Sequence, residues 1–357
     1  MILWLGLALA SESCFVGEAY RGRDVAFARL SLDQGSARLR VPDWGWDRRG
    51  ELEPEGEGAF STSGALRGDL LLTEDGGAVL VDEGGADIFL HPGGCEGGSL
   101  PLRPLRVLRG DVAYETKVPE RAQRVVEGTV ERWFARGDKE VISWVARRPF
   151  EAVLENHIGR AVPEQLRGID YAYELVVDRY ESKSGEVEVK VGGQLRVWRL
   201  ATARNGTLIA RELTTVRGTG IGVGILSSHR DLELAANSLV DEFTDDLRAY
   251  RELGFNVAIA ERSLDHVVIP AGTGDAMRRN ERFRVVRSDE EGRDHTVGTV
   301  LVVRSTGDTS YAVVQGARPW ATPGPGDRLV SAGTARVLRV GVLGGGGPGG
   351  PAGGVYM

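Results

Sequence analysis

The sequence predicts a multidomain chain of α+β to α/β class: a small β module first, a helix-backed mixed sheet in the middle and a small β-barrel last. Three observations carry this. From Phe15 to Arg109 no helical period is sustained and short alternating runs are cut by glycine turns. At Val141–Arg160, VISWVARRPFEAVLENHIGR, an apolar β-favouring run passes through Pro149 straight into a helix. After Leu264 the chain returns to short strands and turns.

The first region contains Asp69–Leu72 and Ala78–Val81 around Glu74-Asp75-Gly76-Gly77, followed by Ala86–Leu90 after a further glycine turn, which is hairpin spacing. Leu102–Leu108 supplies a candidate first strand for the central sheet. Val118–Phe134 then carries Ala122, Val125, Val126, Val130, Trp133 and Phe134 on one side and charges on the other, an amphipathic helix. Val141, Ile142, Trp144 and Val145 follow as a buried strand, too short and too β-prone for a helix. Pro149 sits where a helix start can spare a donor, and Phe150, Val153, Leu154, His157 and Ile158 recur at helical spacing.

A three-strand meander is expected next, over Ile169–Tyr180, Val187–Leu200 and Thr207–Val216. Its turns are Ser182-Lys183-Ser184-Gly185 and Arg204-Asn205-Gly206, and Gly192-Gly193 marks a candidate bulge. The run Gly218-Thr219-Gly220-Ile221-Gly222-Val223-Gly224 lacks the third glycine of a dinucleotide loop and the Gly-Lys of a nucleotide loop, so it is expected to be a mobile connection. Asp231–Arg251 has the longest apolar stripe in the chain: Leu232, Ala235, Ala236, Leu239, Val240, Phe243, Leu247 and Tyr250. Gly254 stops that helix, and Phe255–Ala260 is expected to close the central sheet. Short strands from Val267–Ile269 to Ala335–Val340 suit a small barrel. The expected borders are a signal segment over 1–13, the β module over 14–110, the α/β domain over 111–262, the barrel over 263–342 and a disordered Gly/Pro-rich tail over 343–357.

Composition narrows the function. With 44 Lys+Arg against 51 Asp+Glu the net charge is -7, which offers no broad cationic surface for nucleic acid. Only Lys117, Lys139, Lys183 and Lys190 are lysines, so arginine richness is a bias of the whole chain and local arginine clusters weigh little. Ile2–Ala10 is apolar and ends Ala8-Leu9-Ala10, the small-x-small form of an export cleavage site, although no Lys or Arg precedes it. No later segment reaches membrane-spanning length. Cys14 and Cys95 are a candidate disulfide, with lipidation of Cys14 as the alternative. Trp44 and Trp46, beside acids, are candidates for stacking on a sugar ring; the plainer expectation is a core pair. The five histidines are scattered, no nucleophile elbow occurs, and His91 has no second ligand at metal spacing. No catalytic residue, metal or cofactor is therefore expected.

Three stretches carry a family resemblance: Trp144-Val145-Ala146-Arg147-Arg148-Pro149-Phe150-Glu151-Ala152-Val153-Leu154-Glu155, Leu195-Arg196-Val197 through Asn205-Gly206-Thr207-Leu208, and the helix from Asp231. Their order resembles the periplasmic domain of CsgG, the curli secretion channel protein. That domain is similar to the lipoprotein activators of outer-membrane penicillin-binding proteins and to the TolB amino-terminal type. Gly272–Val286 and Pro325-Gly326-Asp327-Arg328-Leu329-Val330 resemble the carboxy-terminal barrel of FlgT, the flagellar H-ring protein.

The resemblance implies a non-catalytic periplasmic or outer-membrane-associated assembly protein in a Gram-negative bacterium. It would dock on envelope proteins, on further copies of itself in a ring, or on peptidoglycan. Links of a few residues replace the channel's membrane-crossing hairpins, so no pore is expected. The alternative is a cell-wall carbohydrate-binding protein using Trp44 and Trp46 of the β module.

Overall fold

A computed structural model of the chain describes residues 13–93, 105–136, 139–143, 150–182, 188–223, 228–247, 250, 252–253, 257–272, 277, 279–289, 293–317 and 322–334. Strand dominates, with twenty β-strands and three α-helices among these residues. The expected signal segment up to residue 12, Cys95, Trp144–Pro149, Gly254, Ala335–Val340 and the Gly/Pro tail lie outside them.

The β module is a closed eight-stranded up-and-down barrel. Its strands are β1 (Ser13–Arg21), β2 (Asp24–Asp33), β3 (Ser36–Val41), β4 (Trp46–Gly56), β5 (Ala59–Gly64), β6 (Gly68–Leu72), β7 (Ala78–Asp82) and β8 (Asp87–Pro92). Each pairs with the next, and β8 returns to β1, leaving no open edge. Alternate residues fill the inside: Phe15, Ala19, Ala26, Ala28, Leu30, Leu39, Leu70, Leu80 and Ile88 form one buried cluster. Small residues dominate β1 and β2 because a barrel this narrow has little room. At Gly17, any Cβ would strike the backbone of Phe89 across the β1–β8 pair.

The central sheet runs β10-β9-β11-β12-β13, with β9 (Leu105–Tyr114), β10 (Lys139–Ser143), β11 (Tyr171–Ser182), β12 (Glu188–Thr202) and β13 (Leu208–Val223). β9 is parallel to both neighbours, whereas β11 to β13 form the antiparallel meander. Helices α1 (Glu120–Phe134) and α3 (Ser228–Leu247) share one large core with it; α2 (Phe150–His157) joins a second cluster through Leu154, together with Trp198 of β12. The predicted bulge is real in effect but sits on β11: the register shifts between Val177 and Arg179, opposite Gly192 and Gly193.

Several expectations are corrected. The pivot strand is not buried: β10 is an edge strand with one neighbour, and Val141 and Ile142 are only half-buried. β9 crosses the expected border at 110, so the α/β unit starts at least six residues earlier than the expected 111. Gly218–Val223 is no mobile connection but the last third of β13. A G-x-G-x-G run has period two, so Gly218, Gly220 and Gly222 share one face of the strand, and that face meets α3. A Cβ on Gly220 would fall onto the carbonyl oxygen of Ala235, and one on Gly222 onto that of Asp231. The glycines let helix backbone lie directly on strand backbone. All eight residues of the predicted stripe, from Leu232 to Tyr250, are buried against it.

The segment expected to close the central sheet belongs elsewhere. β14 (Val257–Ala258) pairs with β20 (Arg328–Thr334) in a seven-stranded sheet ordered β14-β20-β17-β18-β19-β16-β15. The remaining members are β15 (Glu261–Ser263), β16 (His266–Ile269), β17 (Glu281–Ser288), β18 (Asp294–Ser305) and β19 (Ser310–Ala317). The expected border at 262 therefore cuts through this unit, which begins by Val257. The expected small barrel is a sheet curled on itself, because its two margins, β14 and β15, are neighbouring pieces of chain. Between them the Ile259 N–H donates to Asp327 O and the Ala260 N–H to Val268 O. No helix among the described residues is long and apolar enough to cross a membrane.

Candidate functional site: a buried ionic seam between barrel and sheet

Strand alternation decides what the barrel presents outward. In β1 Phe15 and Ala19 face in, which turns Glu18 and Tyr20 out; in β8 Ile88 and Leu90 face in, which turns Phe89 and His91 out. These outward residues are buried against the central sheet. Tyr20, Val79 and Phe89 belong to the same apolar cluster as Tyr171, Leu213 and Phe243. The turn after β6 also pairs with the β12–β13 hairpin, through a Thr73–Ala203 bridge and N–H donation from Glu74 to Thr202 O and from Arg204 to Leu72 O. Asp87 and Arg211 form an ion pair across the same border.

Inside the seam lies Arg199, 2% exposed, directly across the β11–β12 pair from Tyr171. Its Nη1 donates to the carbonyls of Asp170 at 2.7 Å and Leu200 at 3.1 Å and lies 3.5 Å from the Asp170 carboxylate. Its Nη2 lies 3.0 Å from His91 Nε2 and 3.4 Å from Glu252 Oε2. His91 Nε2 is also 2.9 Å from Glu252 Oε1, so one ring nitrogen faces a donor and an acceptor together. Tyr171 donates to Glu252 Oε2 at 2.8 Å, Tyr20 donates to Glu18 Oε2 at 2.7 Å, and the Glu252 N–H donates to Glu18 Oε1 at 3.3 Å. Asp170 accepts from the backbone N–H of Arg106 at 2.8 Å.

Two buried carboxylates, Asp170 and Glu252, thus lie beside one buried guanidinium, and a third, Glu18, joins the network through the Tyr20 hydroxyl and the Glu252 N–H. Burial alone would lower the Arg199 pKa; Tyr171, Glu252 and Asp170 outweigh it and hold the pKa above its ordinary value. Burial raises the Tyr20 phenol well above its ordinary value, with Glu18 adding to it, and burial followed by Glu252 does the same for Tyr171. Both tyrosines are therefore fixed donors. The Arg199 guanidinium also lies over the Tyr171 ring, 4.5 Å from its centroid.

A cavity of about 120 Å³ adjoins the seam, bordered by Thr73, Asp75, His91, Arg106, Arg199 and Thr202. Thr73 donates to Asp75, whose other oxygen is 3.9 Å from His91 Nδ1. In a nucleophilic triad the histidine stands between hydroxyl and acid; here the acid stands between hydroxyl and histidine. That order cannot pass the Thr73 proton to the imidazole. Among the described residues no group of three or more His, Cys, Asp or Glu is placed to hold a metal ion.

The residues singled out from sequence lie elsewhere. Cys14, the second residue of β1, is disulfide-bonded and sits opposite Ser31. Trp44 ends a one-turn 3-10 segment in the β3–β4 connection and Trp46 begins β4; their rings meet edge to face, with centroids 4.9 Å apart. Both are half-buried against the barrel core. Arg21 lies 4.7 Å from the Trp44 centroid and Arg48 lies 3.5 Å from that of Trp46, so guanidinium groups occupy ring faces a sugar would need. Sequence reasoning missed the seam altogether. Its one local trace is acid and tyrosine, or phenylalanine and histidine, on the outward register of strands that should face water.

No protein-family model matches the chain, and no curated protein does. Similar solved structures include the hypothetical protein CT253 from Chlamydia trachomatis, at 13% identity over 41% of this chain and 97% of that one, with a TM-score of 0.29. The PelC dodecamer from Paraburkholderia phytofirmans shows 17% identity over 40% and 92%, with a TM-score of 0.24. Lipoprotein GNA1162 from Neisseria meningitidis shows 14% identity over 40% and 99%, also at 0.24.

Proposed function

We propose that this chain is a non-catalytic accessory or assembly protein of the cell envelope, periplasmic or outer-membrane-associated, that works by docking on other proteins. The observation that carries this reading is the seam. The histidine, arginine, acids and tyrosines that an active site would expose are used to hold barrel and sheet together, each with partners inside the chain. What remains outward is surface: on β13, Ile221 and Val223 face away from α3 and are 48% and 67% exposed.

The sequence resemblance to the CsgG and penicillin-binding-protein-activator group, and to the FlgT barrel, supports the envelope setting. The mixed sheet with α1 and α3 on one face is the part we assign to that α/β type. Self-association into a ring and contact with peptidoglycan are the further partners the resemblance suggests. The test is cross-linking in cells followed by co-purification from envelope fractions, with light scattering on the pure protein. Capture of envelope components or a defined oligomer supports the reading. A strict monomer recovered without any envelope partner overturns it.

A further inference from the structure

The outer face of the barrel carries a feature that folding alone does not favour. On β2, β3 and β4 the outward register brings Arg29 opposite Arg40 and Arg38 opposite Arg49. Like charges directly across an antiparallel pair are destabilising. Asp47, opposite Arg40, lies inside these rows: Arg38 donates to it through Nε at 2.8 Å and Nη2 at 2.6 Å, and Arg40 lies 3.8 Å away. Arg38, Arg40 and Arg49 together lower the Asp47 pKa, while the pKa of the half-buried Arg29 is lowered by burial first and by Arg40 second. The next row, Asp33, Ser36 and Glu51, is acidic, which confines the basic patch to one end of the face. The curled carboxy-terminal sheet offers a contrast: its exposed Arg282 and Arg284 stand opposite Leu301 and Thr299, not opposite further arginines.

Beside this patch sit Trp44 and Trp46, with Arg21 and Arg48 on their rings. Arginine forks match phosphate oxygens, and tryptophan is the residue most at home between water and lipid headgroups. Nucleic acid fits less well, because single strands need open aromatic faces for base stacking and these faces are covered.

We propose that the Arg38, Arg40 and Arg49 face of the barrel, with the adjoining Trp44–Trp46 end, docks on an anionic phospholipid surface. This goes beyond the assembly reading and rests on the barrel alone, so either can fail without the other.

The test is co-sedimentation of the full chain with vesicles of phosphatidylcholine alone or mixed with phosphatidylglycerol, at low and high salt. Parallel titrations use inorganic phosphate and a single-stranded oligonucleotide. Binding should require phosphatidylglycerol and weaken with salt. It should fall about tenfold or more in the Arg40→Glu, Arg49→Glu double variant while surviving in the Arg282→Glu, Arg284→Glu control. A circular dichroism melt confirms that both variants fold; if the reversal variant does not, Arg40→Gln with Arg49→Gln takes its place and should still weaken binding. Equal binding to both vesicle types, equal loss in the control variant, or binding to phosphate or oligonucleotide without vesicle binding would each overturn the proposal.

Discussion

The barrel and the curled carboxy-terminal sheet meet the central sheet in opposite ways. The barrel contributes Tyr20, Val79 and Phe89 to the central core and buries a network of charges at the border. The carboxy-terminal sheet keeps its own apolar cluster around Phe283, Val300 and Leu329; it touches α3 through β20 and is tied to the turn after α1 by an Arg136–Glu281 ion pair at 3.0 Å. A shared core makes two modules one cooperative unit, whereas a separate core with a small junction leaves a unit able to unfold by itself. Calorimetry should accordingly resolve two transitions, one for barrel plus central sheet and one for the carboxy-terminal sheet; a separate barrel transition would break the comparison.

Arg199→Met should have the largest effect. It strands Asp170 and Glu252 in a buried site, and breaking such a cluster costs about 3–5 kcal/mol, all of it in the joint transition. Leu239→Ala, in the centre of the α3 stripe, should cost about 2–5 kcal/mol in the same transition by urea denaturation. Gly220→Ala should lose about 1–3 kcal/mol, because its Cβ has no room against the α3 backbone; a neutral result would mean that α3 rides higher on β13. Arg136→Met should move only the carboxy-terminal transition, and a shift in both would show that the junction is more than a tether.

Two pH effects sharpen the contrast. Tyr20 and Tyr171 have folded-state pKa values above their ordinary 10.0, so their contribution is intact below that pH and is lost as pH rises through the folded values. Ultraviolet absorbance of tyrosinate should therefore appear together with alkaline unfolding of the barrel and sheet. The smallest effect belongs to Asp47, whose pKa is held below 3.8 by its hydrogen bonds from Arg38. Its contribution is present above that value and fades as pH falls through the folded one, and Asp47→Asn should flatten that acid limb slightly.

The sequence was most legible where one period dominates. The α1 and α3 stripes, the three-strand meander and the hairpins around Gly76-Gly77 all stand near their expected places. It was least legible where two periods compete or where contact is remote. Gly218–Val223 resembled a loop by composition, although alternate glycines on a strand mark a close backbone neighbour. Val141–Ser143 looked buried because β-branched residues also suit an edge strand packed on one side. The seam was out of reach, since His91, Arg199 and Glu252 lie far apart in the chain and no local pattern announces a pairing across modules.

In the carboxy-terminal sheet, Val257–Ala258 and Glu261–Ser263 border opposite margins, joined only by Ile259 and Ala260. That brief link works as a clasp whose length sets the circumference of the curl. A peptide nick there, or a few inserted residues, would unfasten both margins at once and present β20 and β16 as open strands to whatever chain came near.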